Sequence, residues 1–269
     1  MTGRPVRERA VLAPDLASAE LVERGDPVRF AATMAAPPSA RASFWPLYAL
    51  NLELARAPYA AREPMLAEMR LQWWVDEVAR IAAGAEGQGE VAAALAPVLR
   101  RTPGIAPLLA DMADARRRDC AREPFTDVGA LWDYLDRTAG HLMWAASLTQ
   151  GAPFAAEPVV RDLAAGAAMA GWLASVPALK AAGQSPLPDG TDAGVTTLAR
   201  EGLARLDRAG TRRAEMPRHA GVALYPAWPA RALLTQAIAH PERVAEGLQG
   251  PGGFRQTLAL GWRALTGRW

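Results

Sequence analysis

Lysine is almost missing from this chain of 269 residues: of 30 basic residues only Lys180 is not an arginine. With the excess of Ala, Gly and Pro, this reads as coding bias in a GC-rich genome and carries no functional meaning. The 28 acidic residues leave a net charge of only +2. No basic run interleaved with aromatics occupies one face, so nucleic acid is not an expected partner. Cysteine is reduced to Cys120, which rules out an intrachain disulfide and makes the reducing cytoplasm the expected compartment. The three histidines, His141, His219 and His240, are scattered without zinc spacing. The first residues lack the apolar core of a signal peptide. No stretch of about 18 uncharged apolar residues offers a membrane span; residues 163–179 come nearest, and Gly166, Gly171, Ser175 and Pro177 interrupt them. Strand-period alternation and internal repeats are also absent.

What is there is helical periodicity, punctuated by proline and glycine. Hydrophobic residues at 51% and charged ones at 22% describe a globular chain, long enough to bury a sizeable core. The expectation is an all-α fold, a single orthogonal bundle of about ten helices. Residues 1–14 read as a mobile N-terminal arm and 15–269 as the helical domain. The chain is organised around residues 44–80, two long helices separated by a break from Pro58 to Pro64. The first opens near Ser43. The second puts Leu66, Met69, Trp73 and Glu77 on one face, with Arg70, Trp74 and Val78 beside it. Further helices are expected over 15–24, 27–35, 90–101, 105–121, 127–150, 157–181, 195–213, 217–240 (kinked or divided at Pro226 and Pro229) and 251–267. The Ala/Gly-rich segment 157–181 should be central, because small residues let backbones approach closely.

Three segments resemble the squalene/phytoene synthase family. The first is LYALNLELAR (47–56) with LAEMRLQWWVDEV (66–78), where Trp74 stands at the family's tryptophan. The second is DMADARRRD (111–119), whose Asp114 and Asp119 keep the spacing of the family's carboxylates. The third is LWDYLDRTAGHL (131–142), with Tyr134 followed by Ala139 and Gly140. The resemblance covers residues 26–190 and implies the isoprenoid synthase fold, helices enclosing a central cavity for long prenyl chains; here helices 44–57, 65–83, 127–150 and 157–181 are expected to surround it. In catalytic members it implies head-to-head condensation of two prenyl diphosphates, with Mg²⁺ held by two aspartate-rich motifs. That chemistry has a plain requirement: Mg²⁺ needs near-octahedral oxygen ligands, and the metals neutralise charge as the bond to diphosphate ionises.

The chain departs from that pattern at both motifs. The first pair of aspartates falls on Ala55 and Tyr59. The second motif falls on Ala174-Ser175 and Ala178-Leu179, the cavity-side glutamine near Ala168, and the Arg-x-Tyr-x-Pro run carries Gln184 and Pro186 instead. The remainder is similar to the non-catalytic branch that includes the mitochondrial respiratory complex I assembly factor and its bacterial relatives, whose Asn-x-Glu run matches Asn51 and Glu53. The expected function is therefore a non-catalytic helper that binds a lipid or a partner in respiratory complex assembly. An active prenyltransferase with a displaced metal site, and an isoprenoid carrier, are the alternatives.

The candidates for cavity or ligand binding are Asn51, Glu53, Arg56, Asp114, Asp119 and Tyr134. No catalytic residue and no metal ligand is assigned. No cofactor is expected, with Mg²⁺ entering only under the enzymatic alternative. The expected partners are an isoprenoid or lipid and a membrane protein complex, with the chain cytoplasmic or peripheral on the inner face of the membrane. Trp262 and Trp269, near Arg263 and Arg268, are candidates for a membrane interface. Spacing offers three ion pairs, Glu53–Arg56, Asp76–Arg80 and Asp133–Arg137. Asp111 and Asp114 read as partners of Arg116 to Arg118 rather than as a metal site, and His141 as structural. Gly250 to Gly253 lacks the ending of a phosphate loop.

Overall fold

The computed structural model describes residues 14–60 and 63–269. The expected arm over 1–14 lies outside them except for Pro14, which opens the first helix. Thirteen α-helices follow among the described residues: α1 (Pro14–Gly25), α2 (Pro27–Ala35), α3 (Pro38–Arg56), α4 (Pro64–Ala82), α5 (Glu90–Arg101), α6 (Ala106–Ala115), α7 (Arg117–Ala121), α8 (Val128–Leu135), α9 (His141–Thr149), α10 (Glu157–Ala181), α11 (Asp192–Thr211), α12 (Ala230–Ala239) and α13 (Phe254–Thr266). The described residues contain no strand.

Local chemistry sets most boundaries. Asp26 caps α2 by accepting from the Arg29 amide at 2.9 Å, Asp127 caps α8 from the Ala130 amide at 2.8 Å, and Thr191 caps α11 from the Gly194 amide at 3.1 Å. Pro27, Pro38 and Pro64 each sit at the start of a helix, where a missing N–H costs nothing. That is why α3 begins at Pro38 rather than near Ser43. Gly183, with φ of +83°, turns the chain out of α10. Two expected helices are divided. The 105–121 helix breaks at Arg116 between α6 and α7. The 127–150 helix carries a π-helical turn over Asp136–Gly140, where the Thr138 hydroxyl donates to the Tyr134 carbonyl at 2.6 Å.

The core is built on α3, which buries Phe44, Leu47, Tyr48, Leu50 and Leu54 against α1, α5 and α9. On α4 the inward stripe is Ala67, Leu71, Trp74, Val78 and Ile81, packed on α6 and α5. The expected face of Leu66, Met69 and Trp73 is instead exposed, and only Glu77 of that set is buried. Two adjacent apolar stripes compete on this helix. The one that contains the small Ala67 is the one covered.

Ion-pair partners also differ from helical spacing. Arg80 bonds the buried Glu77 twice at 2.8 Å rather than Asp76, which accepts from Gln72 at 2.7 Å. Arg137 bonds Asp111 on α6 at 2.9 Å rather than Asp133. In both cases a two-pronged guanidinium–carboxylate contact outcompetes a single i,i+4 contact. Helix α10 runs through the middle of the second half, against α9, α11 and α12. By length and composition alone the segment Phe154–Ala181 could cross a membrane. Here it is a core helix with Val159, Val160, Leu163, Met169 and Leu173 buried.

Candidate functional site

A cavity of about 460 Å³ lies between α2, α3, α8, α9, α10 and α12. Most of its wall is small or apolar: Met143, Ala164, Ala167, Ala168, Gly171, Leu179 and Leu233. The polar groups are few: Asp26, Arg29, Asn51, Arg116, Tyr134, Thr138 and Ser175. An apolar pocket with a few placed polar groups is the usual form of a small-molecule site.

Those polar groups are arranged in two clusters. At one end Asp26 and Arg29 form an ion pair, so their charges cancel locally. At the other, Tyr134 stacks edge-on with Phe125 and Trp172, at centroid distances of 5.6 and 5.4 Å. Its hydroxyl passes behind the wall and donates to Asp119 Oδ2 at 2.7 Å. Asp119 is buried. Burial raises its carboxyl above the ordinary range, against the lowering effects of Arg116, the Tyr134 hydroxyl and Arg118. Gln184 closes this corner, donating to the Asp119 carbonyl at 2.9 Å and to the Tyr59 hydroxyl at 3.4 Å. Arg116 leans into the cavity from the α6–α7 break and donates from Nη2 to Asn51 Oδ1 at 3.2 Å.

Among the six sequence candidates, Asn51 and Tyr134 line this cavity, and Asp119 stands directly behind Tyr134. Glu53 does not face it. It pairs with Arg70 at 2.9 Å in a separate surface groove beside Trp73 and Trp74, so the expected Glu53–Arg56 pair does not form. Arg56 is exposed, with its guanidinium over Gly25. Asp114 is exposed and pairs with Arg117 at 2.9 Å and Arg137 at 3.3 Å. Helix α4, expected on the wall, is not there; α2 and α12 take its place. Sequence reasoning missed Arg29, Arg116 and Trp172. The signal for Arg116 was its i−3 spacing from Asp119, hidden by the run of three arginines.

His141 bridges helices. Its Nδ1 faces Arg161 Nη1 at 2.7 Å and its Nε2 faces Asp111 Oδ2 at 2.9 Å. A guanidinium can only donate, so Nδ1 is the acceptor and the proton sits on Nε2, donated to Asp111. Burial and then Arg161 lower its pKa, consistent with this neutral form. The residue ties α6 and α10 to the start of α9.

Mg²⁺, implied by the resemblance for catalytic members, does not fit the donors present. Of the positions that the resemblance assigns to the second motif and its glutamine, Ala168, Ala174, Ser175 and Leu179 line the cavity and none carries a carboxylate. Ala55 and Tyr59 do not line it. Asp26 is engaged by Arg29 and Asp119 by Tyr134. No three His, Cys, Asp or Glu side chains converge to hold a metal among the described residues.

The fold is similar to the crystal structure of a dehydrosqualene synthase in complex with ligand, with a TM-score of 0.71 at 12% identity, over 94% of this chain and 95% of that one. It is also similar to the squalene synthase HpnC from Alicyclobacillus acidocaldarius, with a TM-score of 0.69 at 16% identity, over 86% of this chain and 94% of that one. No protein of curated function matches the sequence. The Squalene/phytoene synthase family profile matches residues 22–239, four-fifths of the chain and every element of the cavity wall. This chain belongs to the squalene/phytoene synthase family.

Proposed function

We propose that this chain uses the family cavity to bind an isoprenoid or related lipid without ionising a diphosphate, as a non-catalytic helper in assembly of a respiratory membrane complex. The observation that carries the first part is the cavity wall: Ala168, Ala174, Ser175 and Leu179, which the resemblance aligns with the family's metal-binding motif and its glutamine, line the cavity without a carboxylate among them. That the dehydrosqualene synthase of similar fold was solved in complex with a ligand supports a ligand-binding role for the shared fold. The assembly role rests on the resemblance of the Asn51–Glu53 run to the non-catalytic branch. Purified protein with Mg²⁺ and farnesyl or geranylgeranyl diphosphate is expected to release no pyrophosphate. Release above a heat-killed control, abolished by chelation, would favour the prenyltransferase alternative.

The helper acts at a membrane surface through α13. Phe254, Leu258, Trp262 and Leu265 form a stripe at helical spacing and are 76, 56, 61 and 84% exposed. Arg255 and Arg268 are exposed beside it, and no acidic residue follows Glu246. Apolar stripe and cationic flank together suit the headgroup region of an anionic bilayer. Trp269, a sequence candidate for the same interface, is instead buried against Gly221 and Arg213. Leu258→Glu with Trp262→Glu should weaken sedimentation with phosphatidylglycerol vesicles by about tenfold or more, because each apolar side chain that the bilayer would bury is worth over about 1 kcal/mol. Phosphatidylcholine vesicles should bind the wild type weakly. Equal recovery of variant and wild type on anionic vesicles would remove α13 from the account.

A further inference from the structure

We infer that Arg116 forms a metal-free anion subsite in the cavity, taking the carboxylate or phosphate head of an amphiphile whose apolar tail lies along α10. The inference rests on the lipid-binding reading above and adds the head-group chemistry to it.

Three arginines follow one another at the α6–α7 break, and their fates differ. Arg117 pairs with Asp114 at 2.9 Å. Arg118 lies 3.7 Å from Asp119 and stacks 3.5 Å from the Phe125 ring centroid. Arg116 alone turns into the cavity, and among the described residues it makes one hydrogen bond, to the neutral Asn51. Its Nε is buried without any partner, and its Nη1 has none either among the described residues. A guanidinium offers five donors in a planar fork. The buried Nε is the donor whose lost hydration nothing replaces, and a bidentate anion on that edge of the fork is the partner that would remove the cost.

The surroundings favour an outside anion over an internal one. Asp119 lies three residues further along the chain. It accepts from Tyr134 and, although its carboxyl feels the charge of Arg116, no ion pair joins the two among the described residues. Asp26, the carboxylate on the cavity wall, is held by Arg29. Tyr59 and Tyr134, which also sense Arg116, stay protonated because burial raises both phenols. Among the described residues Arg116 is therefore the cation of the cavity wall that no carboxylate contacts. Beyond it the wall is Ala167, Ala168, Gly171 and Leu179, which recognises hydrocarbon and nothing else.

The test compares three molecules with one tail and three heads: farnesyl monophosphate, farnesoic acid and farnesol. Binding to the full chain is measured by equilibrium dialysis in EDTA, for wild type, Arg116→Met and Arg116→Lys. At least one acid is expected to bind the wild type about tenfold or more tightly than farnesol, the scale of a charge-assisted hydrogen bond. The tighter acid identifies the source, carboxylate or phosphate. Arg116→Met should bring both acids to the level of farnesol while leaving farnesol unchanged, which also shows the cavity intact. Arg116→Lys should keep part of the preference. If the three molecules bind the wild type equally, or the preference survives Arg116→Met, the subsite is wrong and the lipid-binding reading stands. If none of the three binds, the lipid-binding reading falls and the subsite falls with it.

Discussion

Gly166→Val should destabilise the protein by ~3 kcal/mol, at the upper end of what overpacking costs. The reason is the closeness of α10 and α11. A Cβ placed on Gly166 would stand 2.6 Å from Leu206 Cδ2 and 2.7 Å from the Gly202 carbonyl oxygen. Leu206 can rotate away. The Gly202 carbonyl is backbone and can move only if α11 moves. Since α10 carries much of the cavity wall, separation of the two helices would also reshape the site. Gly171 on the same helix provides the contrast. Nothing lies within 4 Å of its Cβ position. Gly171→Ala should leave packing alone and stabilise by up to about 1 kcal/mol through the helix backbone. Urea unfolding midpoints of the two variants measure both effects. A Gly166→Val midpoint equal to that of the wild type would show that the helices are not held at contact.

The central place of the Ala/Gly-rich helix was legible in the sequence, as was the helical class; its close contact with α11 was not. Proline and glycine punctuation placed α10 over 157–181 and separated α1 from α2 at Gly25–Pro27, because backbone constraints are local and act wherever the residue sits. The family motifs likewise put Tyr134 and Asn51 in the neighbourhood of a cavity. The choice of partner was not legible. Spacing says which side chains can meet. It does not say which neighbour from another helix will offer a better bond. Glu53 had Arg56 within reach on its own helix and went to Arg70 on α4. Arg137 had Asp133 and went to α6. The same limit hid Arg116, read with its two neighbours as a partner of Asp111 and Asp114, and let α4 be assigned to a wall that α2 and α12 supply. On α4 itself, two apolar stripes stand side by side in the sequence, and only the approach of α6 decides which one is covered.

Tyr134→Ala should cost ~3–5 kcal/mol, the range for removing a buried aromatic. It takes the centre out of the Phe125–Tyr134–Trp172 stack and removes the hydroxyl that donates to Asp119. Tyr134→Phe isolates the second part and should cost ~1–3 kcal/mol at neutral pH, because it leaves a buried carboxylate without its donor. The pH dependence follows from the direction of the Asp119 shift. Burial holds this carboxyl above its unfolded value, so between the two values the unfolded chain releases a proton that the folded chain keeps. Stability therefore falls as pH rises through that window, which opens at about pH 4. The Tyr134 hydroxyl restrains the rise by bonding the charged form. Without it the folded value climbs further and the window widens upward. The cost of Tyr134→Phe should thus be largest at pH 7 and shrink toward pH 4 as the folded protein's Asp119 takes up its proton. In an Asp119→Asn background the same substitution should cost less at pH 7 and lose its pH dependence. Urea unfolding of the four proteins at both pH values decides the matter. An equal cost of Tyr134→Phe at pH 4 and pH 7 would mean that Asp119 is not the group through which the hydroxyl acts, and that the wall beside Arg116 is held by aromatic packing alone.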